Sequence, residues 1–215
     1  MNYDSIIFDL DGTLWDSTQT SADVWNRILK KFPEITEKVT ADRLKQLFGR
    51  PLDEIGVLLF QSVSQERAIE VIRVCSSEQN SYIAQQGGIL YPNLEETLKH
   101  LSAKYKLCIV SNCEDGYIES FFAAHGLEKY FVDYECPGRT RKYKADNIRL
   151  VMERNHLQHP VYVGDTLGDS DAAKEVGVPF IHAAYGFGEG VNYVAQISGL
   201  DELGSVLTED KTGEK

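Results

Sequence analysis

The sequence lacks cysteine clusters, an excess of basic charge and long apolar runs. Its 4 cysteines, at positions 75, 108, 113 and 136, form no C-x-x-C pair, and no group of histidines accompanies them. A zinc site is therefore not expected. A chain of 215 residues can hold its core without disulfide bonds, so we expect the thiols to be reduced and partly buried.

Basic residues are outnumbered by acidic ones. The chain has 22 lysines and arginines against 33 aspartates and glutamates, which gives a formal charge of −11. Nucleic acids and anionic membranes would repel such a chain, so we expect neither as a partner. The longest apolar stretches, such as residues 56–60 and 107–110, are far too short to span a bilayer. Residues 1–9 do not resemble a secretory signal, which favours a cytoplasmic protein. Separately, we expect a monomer or a homodimer.

Most of the chain alternates between short apolar runs and helical patterns. The apolar runs predict strands at residues 5–8, 106–110, 160–163 and 178–181, with a weaker strand at 130–134. Amphipathic helical patterns lie between them. This alternation predicts an α/β fold: a doubly wound parallel sheet with helices on both faces and the first strand in its centre.

The stretch 15–86 has a different pattern. Apolar residues recur there at helical spacing in four successive segments, and no strand pattern interrupts them. We therefore expect an inserted four-helix cap at residues 15–86. Residues 1–14 and 87–207 would form the α/β core, with a hinge at 87–88. The polar residues 208–215 are predicted to form a flexible tail.

Polar clusters follow three of the predicted strands. They consist of Asp9, Asp11 and Thr13, then Ser111 and Asn112, then Asp165 and Asp169. Because ligand sites in such sheets form beyond the carboxyl ends of the strands, the three clusters are expected to meet in one crevice. Neighbouring carboxylates repel one another unless a cation lies between them. Oxygen ligands without cysteine or histidine favour a hard ion, so we expect Mg²⁺.

A basic segment, residues 139–144, precedes the third cluster and offers a phosphate-binding lysine. We prefer Lys144, which lies directly before the predicted start of a helix, and Lys142 remains the alternative. A carboxylate nucleophile, a second carboxylate two residues later, a metal ion and a lysine together fit phosphoryl transfer through an aspartyl-phosphate.

Four segments resemble the motifs of the haloacid dehalogenase-like (HAD) hydrolase superfamily. They are Asp-Leu-Asp-Gly-Thr-Leu at 9–14, Ser-Asn at 111–112, the lysine before the helix at Asp146, and Gly-Asp-Thr-Leu-Gly-Asp at 164–169. They occur in the family's order and are spread over nearly the whole chain. The helical insertion resembles the family's small cap, and the chain is most similar to the phosphoglycolate phosphatase group.

The resemblance assigns roles to the four aspartates. Asp9 would be the nucleophile and a metal ligand. Asp11 would be the general acid and base and would offer its backbone carbonyl to the metal. Asp165 would complete the metal site, and Asp169 would support that site indirectly or through water. Asp169 could instead simply be a favourable charge at a helix N-terminus.

The same resemblance assigns substrate contacts. Ser111 would hydrogen-bond the phosphoryl group with Asn112 beside it, although both could instead cap the following helix. Lys144 would neutralise the phosphate charge, and Thr13 would shape the loop that faces the substrate. Arg50, in the predicted cap, could bind a substrate anion such as a carboxylate, or could be an ordinary exposed arginine.

Two departures and two matches limit the function. Ala145 stands where the family's third motif usually has proline, and Trp15 stands where a small aliphatic residue is commoner. Dehalogenases of the superfamily lack the second aspartate of the first motif, so Asp11 argues against dehalogenation. Phosphomutases typically have valine where this chain has Thr13. The expectation is Mg²⁺-dependent hydrolysis of a small phosphate monoester; a phosphomutase and a catalytically idle ligand-binding or scaffold protein remain alternatives.

Overall fold

The fold was analysed in a computed structural model that describes residues 3–188 and 192–208. The predicted flexible tail therefore lies outside the described residues, except for Thr208. Within the described ranges, no helix is both long and apolar enough to cross a membrane.

A parallel sheet forms the centre of the molecule. The described strands are β1 (Ser5–Phe8), β2 (Trp15–Asp16), β3 (Ile89–Leu90), β4 (Lys106–Val110), β5 (Asp133–Glu135), β6 (Pro160–Gly164), β7 (Phe180–Ala183) and β8 (Ala195–Ile197). Six of them pair in parallel in the order β5-β4-β1-β6-β7-β8, which places β1 inside the sheet.

Helices cover both faces of this sheet. Four further helices form an insertion after its first strand. In chain order, the described helices are α1 (Thr18–Ile28), α2 (Ala41–Lys45), α3 (Leu52–Leu59), α4 (Gln65–Gln86), α5 (Leu94–Ser102), α6 (Tyr117–His125), α7 (Pro137–Thr140), α8 (Lys144–Asn155), α9 (Leu167–Glu175) and α10 (Leu203–Thr208). Short 3₁₀ helices occur at Leu29–Lys31, Glu128–Tyr130 and Leu200–Glu202. The predicted doubly wound core with an inserted four-helix cap, α1 to α4, is confirmed.

Strand β1 shows why the sheet is buried on both sides. All four of its residues are buried, as expected for a parallel strand between two helical layers. Successive side chains point to opposite faces. Ile6 and Phe8 belong to the hydrophobic cluster that includes residues of α5 and α6, whereas Ile7 belongs to the cluster that includes residues of α8 and α9.

The cap has a hydrophobic cluster of its own, in which Trp25, Leu44, Ile55 and Ile72 are buried. Trp15 belongs instead to the cluster of the α/β core, where its ring meets Phe121 edge-on with centroids 5.0 Å apart. Most of the cap helices therefore pack around a different centre from the sheet, although Ile83 of α4 belongs to the cluster of the core.

The two connections between core and cap run side by side. Strands β2 and β3 pair antiparallel, so the chain leaves and re-enters the core at one place. A Cβ atom at Gly88 would lie 2.8 Å from the Asp16 carbonyl oxygen, so only glycine permits this close crossing. The predicted hinge at residues 87–88 thus lies next to β2, the strand that pairs with β3.

Five strands differ from the predictions. Strand β7 begins at Phe180 and not at residue 178, because Pro179 has no N–H to donate to a neighbouring strand. Strand β5 begins at Asp133 and not at residue 130, since Tyr130 ends a 3₁₀ helix. Strands β2, β3 and β8 have only two or three residues each, too few for an apolar pattern, and were not predicted.

Candidate active site

The carboxyl edge of the sheet brings the three predicted clusters together. Asp9 directly follows β1, Ser111 directly follows β4, and Asp165 directly follows β6. Because β4 and β6 both pair with β1 in parallel, all three residues lie at the same edge. Asp9 is 1% exposed and Asp165 is fully buried, so these carboxylates have been removed from bulk water.

Lys144 joins two of the carboxylates. It begins α8, and its Nζ atom lies 2.8 Å from Asp9 Oδ1 and 2.5 Å from Asp169 Oδ1. Burial by itself lowers the pKa of the ammonium, but the charges of Asp169 and Asp9 hold that pKa well above its ordinary value. Lys142, the alternative, is exposed. The structure therefore places Lys144, and not Lys142, among the carboxylates.

The surroundings of Asp9 raise the pKa of its carboxyl group. Burial and the negative charge of Asp169 raise its pKa to about 6, while the ammonium of Lys144 and a hydrogen bond from Ser111 act in the opposite direction. The carboxylate that would attack phosphorus thus depends on a nearby positive charge to stay ionised.

Asp11 lies in a separate hydrogen-bond network. Its Oδ1 atom accepts hydrogen bonds from the Ser17 hydroxyl at 2.6 Å and the Tyr117 hydroxyl at 3.0 Å. The two hydroxyls are 2.7 Å apart. Burial raises the pKa of Asp11 to about 7, and these hydrogen bonds offset only part of the rise. At neutral pH, the metal-free carboxyl is poised to give or take a proton.

Asp165 has one oxygen engaged and one without a partner. Its Oδ2 atom accepts hydrogen bonds from the backbone N–H groups of Phe187 at 2.7 Å and Gly188 at 3.3 Å. Its buried Oδ1 atom has no hydrogen-bond partner among the described residues. Gly12 packs against this side chain with φ +80°, and a Cβ atom there would lie 2.2 Å from Asp165 Oδ2. The first motif therefore needs glycine at this position to admit the carboxylate.

Asp169 caps α9 and binds Lys144 at the same time. Its Oδ2 atom accepts hydrogen bonds from the Thr166 backbone N–H at 3.0 Å and the Thr166 hydroxyl at 2.7 Å, in a reciprocal capping box. Its Oδ1 atom accepts from Lys144. Asp169 therefore lies at a helix N-terminus and also contacts Lys144, while its role in a metal site stays a prediction.

The buried carboxylates fit a hard divalent cation. Asp9, Asp165 and Asp169 each offer an oxygen within 4.8 Å of the others, and they face one ammonium group. Oxygen donors alone, with negative charge in excess, are what Mg²⁺ prefers. Because both oxygens of Asp169 already accept hydrogen bonds, Asp165 Oδ1 is the better placed ligand beside Asp9.

A small, partly open cavity lies above Asp9 and Asp11, between the core and the cap. Its volume is about 40 Å³, and its walls include Ser111 and Asn112. The Asn112 side-chain NH₂ donates to the Gly49 carbonyl of the cap at 2.8 Å. This hydrogen bond ties the cap to the core at the wall of the cavity.

Two predicted substrate contacts lie elsewhere. Arg50 is exposed and ion-paired with Glu54, and it does not line this cavity. Thr13 is fully buried, and its carbonyl accepts a hydrogen bond from the Tyr185 hydroxyl at 2.9 Å. The Thr13 hydroxyl itself is buried without a hydrogen-bond partner among the described residues, and its contribution to the loop stays a prediction.

Sequence reasoning missed Ser17, Tyr117 and Tyr162. Ser17 precedes α1, where a serine resembles an ordinary helix cap. Tyr117 is 106 residues from Asp11, and no local pattern links them. The Tyr162 hydroxyl donates to the Val110 carbonyl at 2.7 Å and lies 3.4 Å from Asp169 Oδ1. Tyr162 was missed because it lies within an apolar strand pattern. Only the tertiary structure reveals these partners.

Comparison with known proteins gives consistent results. The family model for haloacid dehalogenase-like hydrolases matches residues 6–183. A phosphoglycolate phosphatase of Vibrio parahaemolyticus is 29% identical, over 86% of this chain and 85% of its own length. The phosphoglycolate phosphatase of Escherichia coli K12 is 27% identical, over 86% of this chain and 82% of its own. A haloacid dehalogenase-like family hydrolase from Streptococcus pneumoniae shares the fold, with a TM-score of 0.81 at 20% identity, over 96% and 99% of the two chains.

The role of Lys144 can be tested on stability. In a chelator at about pH 8, Lys144→Met removes the ammonium and leaves its carboxylate partners buried without it. We expect the free energy of unfolding in urea to fall by about 3–5 kcal/mol. The control Lys142→Met alters an exposed side chain and should change it by less than about 0.5 kcal/mol. Equally small changes in both variants would contradict the assignment.

Asp11 should impose a pH dependence on the metal-free protein. Between the unfolded-state value of about 3.9 and the folded-state value of about 7, the folded chain keeps a proton that the unfolded chain releases, so stability falls as the pH rises. Asp11→Asn keeps the hydrogen-bond acceptor and removes the titration. From about pH 5 to about pH 8, the variant should lose less unfolding free energy than the parent, by more than about 1 kcal/mol. Urea unfolding in a chelator measures both losses, and equal losses would disprove the raised pKa.

Proposed function

Because the chain belongs to the haloacid dehalogenase-like hydrolase family, in its phosphoglycolate phosphatase-like group, we propose that it is a phosphatase that hydrolyses a small phosphate monoester with the help of Mg²⁺. One observation supports this most strongly: Asp9, Lys144 and Asp169 form a buried ion-paired group beside Asp165, whose Oδ1 atom has no hydrogen-bond partner among the described residues. Such an arrangement suits a dianionic phosphate and a metal ion together.

Phosphate binding would rest on Lys144 at the start of α8 and on Ser111 directly after β4. The ammonium of Lys144 neutralises negative charge next to Asp9, so the phosphate and the nucleophile can approach each other. The hydroxyl of Ser111, which donates to the Asp9 carboxyl in the free protein, would donate to a phosphate oxygen instead. Asn112 already donates to the cap, so its main contribution is to hold the cap in place above the phosphate.

In the first step, a carboxylate oxygen of Asp9 attacks phosphorus. An Asp9–phosphorus bond forms, the bond between phosphorus and the alcohol oxygen breaks, and the carboxyl of Asp11 gives its proton to the departing oxygen. A pKa of about 7 allows Asp11 to hold that proton at neutral pH. The Ser17 and Tyr117 hydroxyls fix the position of its Oδ1 atom throughout.

In the second step, Asp11 acts as a base. Its carboxylate takes a proton from a water molecule, the water oxygen bonds to phosphorus, and the bond to Asp9 breaks. Inorganic phosphate leaves, Asp9 returns as a carboxylate and Asp11 is again protonated. Both steps therefore use the same two side chains, with opposite directions of proton transfer at Asp11.

Asp9, Asp165 and the backbone carbonyl of Asp11 would hold the metal ion, with Asp169 supporting the site through Lys144. When bound, Mg²⁺ supplies positive charge that offsets the repulsion between the phosphate and the carboxylates. One ion would change the formal charge of the chain from −11 to −9, since it adds two positive charges. An acidic protein can thereby bind an anionic substrate.

The cap would restrict the substrate by size. The cavity of about 40 Å³ lies between core and cap, so we expect the cap to move when a phosphate ester enters. Closure then excludes bulk water and leaves no room for a folded phosphoprotein. The relatives' names make phosphoglycolate a candidate substrate at the level of the group. A cytoplasmic location and a monomeric or homodimeric state stay predictions.

The nucleophile can be tested with Asp9→Asn. Release of phosphate from an aryl phosphate in excess Mg²⁺ should fall by at least about 10³-fold, because the amide cannot form the covalent intermediate. Asp23→Asn, an exposed aspartate of α1, should keep the parental rate. A chelator should reduce the parental rate severely, and added Mg²⁺ should restore it.

The proposal would be wrong if Asp9→Asn, purified free of contaminating phosphatase, hydrolysed the ester at the parental rate. A parental rate that a chelator leaves unchanged would refute the metal requirement alone. The two results separate the covalent step from the role of the ion.

A further inference from the structure

The cavity above Asp9 and Asp11 has two unlike walls. The core wall bears polar and acidic side chains, including Ser111 and Glu114. The cap wall consists largely of Trp25, Phe48, Leu52, Ile55, Ser76 and Gln79. Since the phosphate would lie against the core wall, the alcohol part of a substrate would face the cap wall. The chemistry of the cap wall therefore bears directly on what the enzyme can accept.

The polar groups of the cap wall are neutral. Ser76 and Gln79 are three residues apart on α4, so they share one face of the helix. The Trp25 indole N–H donates to Gln79 Oε1 at 2.6 Å, which fixes the orientation of the amide. The Gln79 NH₂ group is left as a hydrogen-bond donor. This wall can therefore bind a hydroxyl or carbonyl oxygen, but it carries no charge with which to bind an ion.

The nearby cations of the cap are occupied elsewhere. No lysine or arginine is among the described residues that line this cavity. Arg50 pairs with Glu54, Arg73 pairs with Asp53 at 2.5 Å, and Lys45 pairs with Asp16 at 2.9 Å. The charged side chains that do line the cavity are all acidic.

A carboxylate on the alcohol would be poorly accommodated here. It would lose its water against the Trp25 and Phe48 rings and would gain no cation in exchange. Glu114 and Asp11 would add repulsion from the core side. The same two acids would attract an ammonium group, which offsets part of its loss of hydration. A carboxylate is therefore the end group that this cavity accommodates worst, and an uncharged alcohol with one hydroxyl or carbonyl group avoids its costs.

We propose that the substrate of this enzyme is a phosphate ester of an alcohol that carries no carboxylate, and that phosphoglycolate is a poor substrate. The inference rests on the proposed function, because it concerns the group attached to the transferred phosphate. It separates this chain from the substrate in the names of its relatives. It assigns the discrimination to the cap wall, which is formed by α1, α3, α4 and the segment between α2 and α3 that holds Phe48.

A set of two-carbon esters tests the inference on the unmodified enzyme. 2-Hydroxyethyl phosphate carries a neutral end group, 2-phosphoglycolate a carboxylate, and O-phosphoethanolamine an ammonium. We expect kcat/KM for phosphoglycolate to be the lowest of the three and at least about tenfold below that of the neutral ester. Phosphoglycolate used as well as either of the other esters would overturn the inference and leave the phosphatase proposal intact. Absence of phosphate release from all three esters and from an aryl phosphate would remove both.

A pair of variants locates the discrimination. Ser76→Lys introduces a cation at the cavity wall, whereas Ser77→Lys introduces one at the exposed neighbouring position of the same helix. Ser76→Lys should raise the ratio of kcat/KM for phosphoglycolate over hydroxyethyl phosphate by at least about tenfold, and Ser77→Lys should leave that ratio unchanged. An equal ratio in both variants would contradict the role of the cap wall. If Ser76→Lys does not fold, the three-ester comparison on the parent decides.

Discussion

The site depends on the ammonium of Lys144, which is held between two buried carboxylates. Without it, Asp9 and Asp169 would be like charges in a region from which water is excluded. The lysine therefore makes the buried carboxylates compatible with a folded protein. It does not balance them completely, since Asp165 adds a further carboxylate with an unpartnered oxygen. The remaining negative charge makes a divalent cation the natural complement of the site.

The topology of the sheet brings these charges together. Asp9 and Asp165 come from neighbouring parallel strands, and Lys144 comes from the first turn of a helix packed behind them. The cap adds a second constraint, because it has a hydrophobic cluster of its own and is connected to the core through the paired strands β2 and β3. Charge neutralisation thus belongs to the core, while we propose that selection of the alcohol belongs to the cap.

The sequence predicts the parts of this arrangement that are local. Apolar runs that end in aspartates predict β1 and β6 together with Asp9 and Asp165. Both the buried strand and the polar turn are encoded by residues that are adjacent in the sequence. Lys144 was preferred over Lys142 from its place before a helix. The partners of Asp11 could not be found in this way, since Tyr117 lies far along the chain and Ser17 resembles a helix cap. The ion pair between Arg50 and Glu54 could not be predicted either, because a helical pattern does not show which neighbour a residue at a helix boundary will pair with.

The proposed cation site is tested most directly by the binding of Mg²⁺ in calorimetry, in the absence of substrate. We expect one ion per chain, with an affinity that Asp165→Asn weakens by at least about tenfold. Asp171→Asn, an exposed aspartate on α9, should bind the ion as the parent does. Parental affinity in Asp165→Asn, or equal weakening in both variants, would contradict the claim that the buried carboxylates at the sheet edge form the cation site.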